Sequence, residues 1–144
     1  MEAPSREELV RGLNEDLAHE YQAVIMYTTY ASLATGIHRP LLKSFFETEI
    51  PEELAHAQFL AEKVTALGGQ PTTTPADVAV VDSTRGMLEQ VLHAEEETIV
   101  RYVTRRKQAE AFGDYGLAID LDNIISDETK HKEEAEKLLK GMRA

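Results

Sequence analysis

Two short stretches decide the fold, Glu128-Thr129-Lys130-His131 and its counterpart Glu53-Leu54-Ala55-His56. Each places a carboxylate three residues before an imidazole, and on a helix that spacing puts both side chains on one face, one turn apart. Each also has a glutamate at the same distance upstream, Glu20 before Glu53 and Glu95 before Glu128. A glutamate followed by Glu-x-x-His, given twice, predicts a carboxylate-bridged two-metal site inside a four-helix bundle.

The rest of the chain carries four long helical patterns separated by turn signals, with no lasting strand-like alternation. We therefore predict an all-α, antiparallel four-helix bundle in one domain, residues 1–144, with helices at about 5–35, 40–67, 83–112 and 114–140. Ser5-Arg6-Glu7-Glu8 is a capping box for the first helix. Gly141 is expected just past the end of the fourth. Pro51 lies inside the second helix and should kink it beside Glu53, with or without a role in placing that ligand.

The segment from 70 to 81 is the one long connection, and it carries two prolines and a run of threonines. Such a segment favours an extended path that can travel most of the length of a bundle. It predicts a long crossover between two helices that run in the same direction.

A weak internal repeat supports the same architecture. The shift in numbering that carries Glu20 onto Glu95 also carries Glu53 onto Glu128, His56 onto His131 and Tyr27 onto Tyr102, together with several apolar positions. The two helical hairpins thus resemble two copies of one unit, related by a pseudo-two-fold axis through the metal site.

The predicted ligands are oxygen and imidazole nitrogen without sulfur, a set that suits iron or manganese and that zinc can occupy. Among three consecutive glutamates, Glu95 is the one on the apolar face, whereas Glu96 and Glu97 should be solvated. Tyr27 is either a core aromatic or a phenol beside the metals. Glu49 lies one turn before Glu53; we expect it on the solvated face, with a role near the site as the alternative.

Composition excludes several other classes of protein. The formal net charge of −11 disfavours nucleic acid and anionic membranes as partners. No apolar run is long enough to span a membrane, and the acidic N-terminus lacks the apolar stretch of a signal peptide. With no cysteine, thiolate chemistry is excluded and a cytoplasmic location is expected.

At these residues the chain resembles the bacterioferritin and ferritin-like di-iron family over roughly residues 9–140. The resemblance implies that two iron ions per subunit are bound by Glu20, Glu53, His56, Glu95, Glu128 and His131. It assigns the first three to one iron and the last three to the other, with Glu53 and Glu128 as bridges and Tyr27 as the tyrosine near the centre. It implies a ferroxidase that oxidises Fe2+ with O2 or peroxide, for iron storage or detoxification in an oligomeric shell.

The assembly and the haem content are less closely implied. Leu54 stands where bacterioferritins have a haem-ligating methionine, so haem is not expected. The sequence stops at Ala144, too soon after His131 for the short fifth helix of 24-subunit shells. Twelve subunits, 24 subunits or a dimer all stay open.

Other functions fit parts of the pattern. A rubrerythrin-like peroxidase would have a further glutamate where Thr98 stands, and its usual rubredoxin module needs cysteine. A manganese catalase or another di-metal oxidase is compatible with the ligands. A non-catalytic bundle held by metal is disfavoured because apolar packing fills a structural role at lower cost. DNA protection by binding is disfavoured by the negative charge.

Overall fold

The computed structural model describes residues 1–143 and contains four α-helices of similar length. They are α1 (Arg6–Leu33), α2 (Arg39–Ala66), α3 (Thr84–Phe112) and α4 (Tyr115–Arg143). No strand occurs among the described residues. The all-α, four-helix architecture predicted from the sequence is confirmed.

Local sequence signals set most of the helix ends. The Ser5 hydroxyl accepts the Glu8 N–H, and the Glu8 carboxylate accepts the Ser5 N–H in return, so the capping box closes α1 at its N-terminus. Gly113 ends α3 with φ of 98°, a left-handed conformation that costs glycine little. The Asp114 carboxylate then accepts the Leu117 N–H at the start of α4.

Two helix-breaking residues do not end their helices. The expectation that Gly141 lies past α4 is wrong, because α4 continues through it to Arg143. Gly141 does not have a positive φ, and a glycine in the last turn costs a helix only about 1 kcal/mol. α2 likewise runs without interruption through Pro51, which leaves the Glu47 carbonyl without its usual N–H partner.

The connection between α2 and α3 runs along α1. Asn14 bonds the backbone of Gln70 and Thr72, the Ala76 N–H donates to the Ala18 carbonyl, and Tyr30 donates to the Ala79 carbonyl. These contacts advance together along both segments, so the connection covers most of the length of α1. It is the predicted long crossover, and it brings α3 back to the end of the bundle where α2 began.

Paired residues fix the relative direction of the helices. Between α1 and α3, Asp16 contacts Arg105 and Tyr27 contacts Glu95. The residue numbers rise along one helix while those of their partners fall along the other, so the two helices are antiparallel. The same reversal holds between α2 and α4, where residues 52 and 56 contact residues 131 and 127. Every neighbouring pair that these contacts join is therefore antiparallel.

The apolar core has two parts, separated by a layer of buried charge. One cluster contains Leu13, Leu17, Leu60 and Leu121, among others, and the second contains Tyr30, Phe46 and Leu139. On each helix the ligand-type residues lie between the stretches that supply the two clusters. The predicted metal site thus occupies the middle of the bundle, with apolar packing on both sides of it.

None of the helices in the described part of the chain combines the length and the apolar character needed to cross a membrane.

Candidate metal centre

All six predicted ligands are buried at the middle of the bundle, and none is more than 7% exposed. Two helices contribute one glutamate each, and each of the other two contributes a glutamate and a histidine. The neighbours Glu96 and Glu97 are exposed, as expected. The six residues are Glu20 on α1, Glu53 and His56 on α2, Glu95 on α3, and Glu128 and His131 on α4.

Side-chain atoms of five of these residues, together with Glu49, form two groups of possible metal ligands, each with its atoms within 4.8 Å of one another, and Glu95 belongs to neither group. The first group is Glu20, Glu53, His56 and Glu128. The second is Glu49, Glu53 and His131. Glu128 also approaches the second group, since its Oε2 is 3.8 Å from His131 Nδ1. Glu53 and Glu128 therefore lie between the groups, where bridging ligands would be needed.

Each histidine ring has a half-exposed carboxylate from the opposite hairpin near its outer nitrogen, hydrogen-bonded to His131 and in a longer ion-pair contact with His56. Nε2 of His131 is 2.5 Å from Glu52, and Nε2 of His56 is 3.5 Å from Asp127. In both rings Nδ1 faces the buried carboxylates, 2.8 Å from Glu49 for His131 and 3.3 Å from Glu128 for His56. A carboxylate on the outer nitrogen of a ligand histidine orients the ring and makes the inner nitrogen a better donor.

Two buried tyrosines hold the remaining glutamates. The Tyr27 hydroxyl donates to Glu95 Oε1 at 2.6 Å, and the Tyr102 hydroxyl donates to Glu20 Oε1 at 2.5 Å. Each bond joins the two hairpins, and the internal repeat relates one to the other. Tyr27 is therefore both a core aromatic and a residue of the site, and so is Tyr102.

The six predicted ligands and Glu49 supply every fully buried side-chain oxygen or nitrogen that lacks an aligned hydrogen bond in the described chain, although Glu49 Oε2 and His131 Nδ1 lie 2.8 Å apart. Buried polar atoms are nearly always satisfied, so a cluster of unsatisfied ones calls for a ligand. Six of the seven residues belong to the two groups that could each hold a cation, so the residues present fit a pair of metal ions. The seven atoms are Glu20 Oε2, Glu49 Oε2, Glu53 Oε1, His56 Nδ1, Glu95 Oε2, Glu128 Oε1 and His131 Nδ1.

Without cations, the buried charged side chains strongly shift one another's pKa values. Burial and the charges of Glu20 and Glu128 raise the pKa of Glu53 far above its usual value. Burial also raises the pKa of Glu95, to about 8, although the bond from Tyr27 opposes the shift. Burial alone would lower the pKa of His131, but Glu128 and Glu49 outweigh it and raise that pKa to about 11. The site thus holds protons where a metal ion could bind.

The expectation that Glu49 is solvated is wrong. Its side chain is 5% exposed and belongs to the second donor group. The physical reason is its spacing, because a residue four before Glu53 lies on the same face of α2. That spacing was visible in the sequence. The repeat argued against it, since the equivalent position on α4 is Ile124.

Sequence reasoning missed Glu52 and Asp127 altogether. Both directly precede a ligand glutamate, and the internal repeat maps one onto the other. Their pairing with the histidines crosses from one hairpin to the other, so no spacing within one helix predicts it. The repeat was the only signal that could have drawn attention to them.

A match to a known family covers nearly all of the chain. The Ferritin family, described as a ferritin-like domain, matches residues 10–144. No curated protein matches the chain.

Solved structures give the same result. A protein from Bacillus anthracis str. Ames, described as ferritin-like and diiron-carboxylate, is 48% identical, with 93% of this chain and 96% of that one covered and a TM-score of 0.92. A dodecameric thioferritin, the bacterioferritin-related protein from Bacteroides fragilis, is 23% identical over 96% and 88% of the two chains, with a TM-score of 0.88. Dps from Thermosynechococcus elongatus is 23% identical over 92% and 90%, with a TM-score of 0.84. The two structures at 23% identity bear on the fold alone.

Proposed function

This chain belongs to the ferritin-like family, and on that premise we propose that it is a di-iron ferroxidase. Its substrates are two ferrous ions per chain and O2 or hydrogen peroxide. Its ligands are Glu20, Glu53, His56, Glu95, Glu128 and His131, and the oxidised iron is stored or detoxified in a shell of identical subunits in the cytoplasm. The 48% identical relative from Bacillus anthracis, described as a diiron-carboxylate protein, supports the choice of metal.

One observation carries the proposal. Seven buried oxygen and nitrogen atoms that could bind metal lack an aligned hydrogen bond, and they come from all four helices. A bundle that used the middle of its core only for packing would fill it with apolar side chains, because buried charges cost free energy unless they are paired. Here several carboxylates crowd together and repel one another. Cations are the partner that these atoms lack.

The side chains have distinct tasks in the proposed reaction. Glu53 and Glu128 lie between the two donor groups and would bridge the two ferrous ions, while the histidines donate Nδ1. Tyr27 and Tyr102 hold Glu95 and Glu20 in position through hydrogen bonds. Two ferrous ions release two electrons; O2 takes them with two protons to give hydrogen peroxide, or hydrogen peroxide takes them with two protons to give two water molecules. Carboxylates that take up protons in the metal-free site release them as the ferrous ions bind.

The donor set does not by itself distinguish iron from manganese or zinc. A di-manganese oxidase or a rubrerythrin-like peroxidase would use the same side chains. Leu54, beside Glu53, is not a haem ligand, so we propose no haem.

The assembly is proposed at the level of the family. One relative of the same fold is a dodecamer by its description. In this chain Ile37 and Val80 are at least nine-tenths exposed, and Tyr115 and Ile119 are more than half exposed. Covering such side chains in contacts between copies of the chain would be favourable, because it removes apolar surface from water.

The activity is tested by removing ligands one at a time. Glu128→Ala and His131→Ala should each abolish rapid oxidation of Fe2+, because each removes a donor from the pair of ions. The measurement is stopped-flow absorbance of ferric product, with O2 uptake followed in parallel and circular dichroism to show that the bundle stays folded.

Glu134→Ala is the matched control, because Glu134 lies on the same helix and is exposed. It should oxidise Fe2+ as fast as the unmodified protein. Unchanged kinetics in both ligand variants would reject the site. Absence of ferrous oxidation together with manganese-dependent peroxide breakdown in the unmodified protein would favour the manganese alternative.

A further inference from the structure

Glu49 breaks the symmetry of the site. The internal repeat pairs each of the six ligands with a residue of the same type, and it also pairs Tyr27 with Tyr102 and Glu52 with Asp127. Glu49 has no such counterpart, because Ile124 occupies the equivalent place on α4 and packs in the apolar core. The extra carboxylate is therefore present on one side of the site only.

The position of Glu49 is that of a ligand. Its side chain is 5% exposed, and Oε2 has no aligned hydrogen bond. That atom lies 2.8 Å from His131 Nδ1, the same nitrogen that Glu53 and Glu128 approach at 3.8 Å. An oxygen beside the metal-facing nitrogen of His131 is also beside the metal position.

A simpler role, holding the His131 ring in place, is already filled. Glu52 contacts the outer nitrogen of that ring at 2.5 Å, which leaves Nδ1 free to face inward. His56 has Asp127 3.5 Å from its own outer nitrogen, and no carboxylate equivalent to Glu49 lies beside it. Glu49 is therefore not needed to orient His131.

We propose that Glu49 is a seventh protein ligand, restricted to the metal position of His131, and that it makes the two positions unequal. The proposal rests on the proposed di-metal site. With Glu95 at the His131 position and Glu20 at the His56 position, as the proposed site has them, Glu49 gives the His131 position one oxygen ligand and one negative charge more than the His56 position. It therefore binds the first cation, and after oxidation it holds a trivalent ion more firmly than the other position does. Ferric product then leaves mainly from the His56 position.

Zinc is a suitable probe because it binds the same donors without redox chemistry. Calorimetric titration of the unmodified protein with Zn2+ should show two steps of different affinity. Glu49→Gln, which keeps the shape and removes the charge, should weaken the tighter step by roughly tenfold or more, the range in which even indirect partners of a metal site act. The weaker step should not change.

Two further variants make the result specific. Glu47→Gln removes an exposed carboxylate of α2 that pairs with Lys43, and should leave both steps unchanged. Glu53→Gln removes a donor shared by both groups and should weaken both. Normal binding by Glu49→Gln with weakened binding by Glu53→Gln would overturn this inference alone. Normal binding by both variants would overturn the proposed site as well.

A crystal structure of the unmodified protein with one equivalent of Zn2+ gives a test that needs no variant. The anomalous signal should lie beside His131, with a Glu49 oxygen within about 2.2 Å of the ion, a normal zinc–carboxylate distance. A first ion beside His56, or a Glu49 side chain out of bonding reach, would contradict the assignment.

Discussion

At the level of single residues, the half-exposed carboxylates Glu52 and Asp127 orient the two histidine rings, which helix packing alone does not do. Helix packing brings each imidazole to the centre, but a ring can still turn about its side-chain bonds. A carboxylate beside Nε2 favours a proton on that nitrogen and leaves Nδ1 for the metal, through a hydrogen bond of His131 to Glu52 and a 3.5 Å contact of His56 with Asp127. Neither carboxylate need touch the metal for its loss to weaken binding.

We therefore predict that Glu52→Gln and Asp127→Asn each lower the affinity for Zn2+ by about 10- to 100-fold, the usual cost of losing such a partner. The effect should fall on different steps of the titration, the His131 position for Glu52→Gln and the His56 position for Asp127→Asn. Isothermal titration calorimetry measures both.

Asp120→Asn, an exposed change on α4, is the control and should bind zinc normally. If Glu52→Gln and Asp127→Asn also bind zinc normally, the two carboxylates are only surface residues that happen to lie near the rings.

At the level of helices, α1 and α3 are joined by a buried ion pair that lies away from the ligands. Arg105 Nε donates to Asp16 Oδ2 at 2.8 Å, and both side chains are almost fully buried. Burial raises the pKa of Asp16 to about 6, although the hydrogen bond and charge of Arg105 lower it. The guanidinium packs directly against Gly12, where a side chain would overlap it.

This contact reverses the usual sign of a glycine substitution. Alanine in place of glycine inside a helix normally stabilises it by about 1 kcal/mol. Gly12→Ala should instead lower the free energy of unfolding by about 1–3 kcal/mol, because the new methyl group must displace Arg105 in a tightly packed interior. Thermal unfolding at a fixed protein concentration measures the change.

Gly116→Ala on α4 is the matched control. A methyl group there would come no closer than 3.8 Å to Asp114, so this variant should be as stable as the unmodified protein or slightly more stable. A Gly12→Ala protein that gains stability to the same extent would show that Arg105 can move without cost.

The helices were predicted well from the sequence because their signals are local. A capping box, a left-handed glycine and a capping aspartate act within a few residues. The burial of the six predicted ligands was also predictable, because residues three apart share a helix face and the repeat selects the same positions twice. Contacts between hairpins were not predictable in this way. Tyr27 with Glu95, Glu52 with His131 and Arg105 with Asp16 join residues that lie far apart in the chain.

Glu49 was predicted to be solvated but is buried. Its spacing of four from Glu53 placed it on the ligand face, yet its charge favoured a solvated position and the repeat offered no partner for it. Burial of a carboxylate is favourable only when something compensates its charge, and a helix pattern alone does not reveal that compensation. The neighbouring helices, here α4 with His131, decide the matter.

At the scale of the whole molecule, the net charge of −11 opposes the association of identical chains. Covering exposed apolar side chains such as Ile37 and Val80 would favour it, because apolar surface is removed from water. An assembly that forms in spite of the charge must bury enough apolar surface to outweigh repulsion. Salt screens charges over about 8–10 Å at ordinary ionic strength. Added salt should therefore leave such an assembly intact or stabilise it.

We predict that light scattering coupled to size-exclusion chromatography gives a mass many times the 16.1 kDa of one chain. The mass should be the same at low and high salt, because contacts driven by apolar burial do not depend on charge attraction. A mass equal to that of a single chain would contradict the assembly, and a mass that falls as salt rises would contradict its apolar origin.

Iron loading in air distinguishes a closed shell from a dimer. A closed shell should retain far more iron per chain after gel filtration than the metal sites can hold, whereas a dimer, which encloses no cavity, should retain no more than those sites bind.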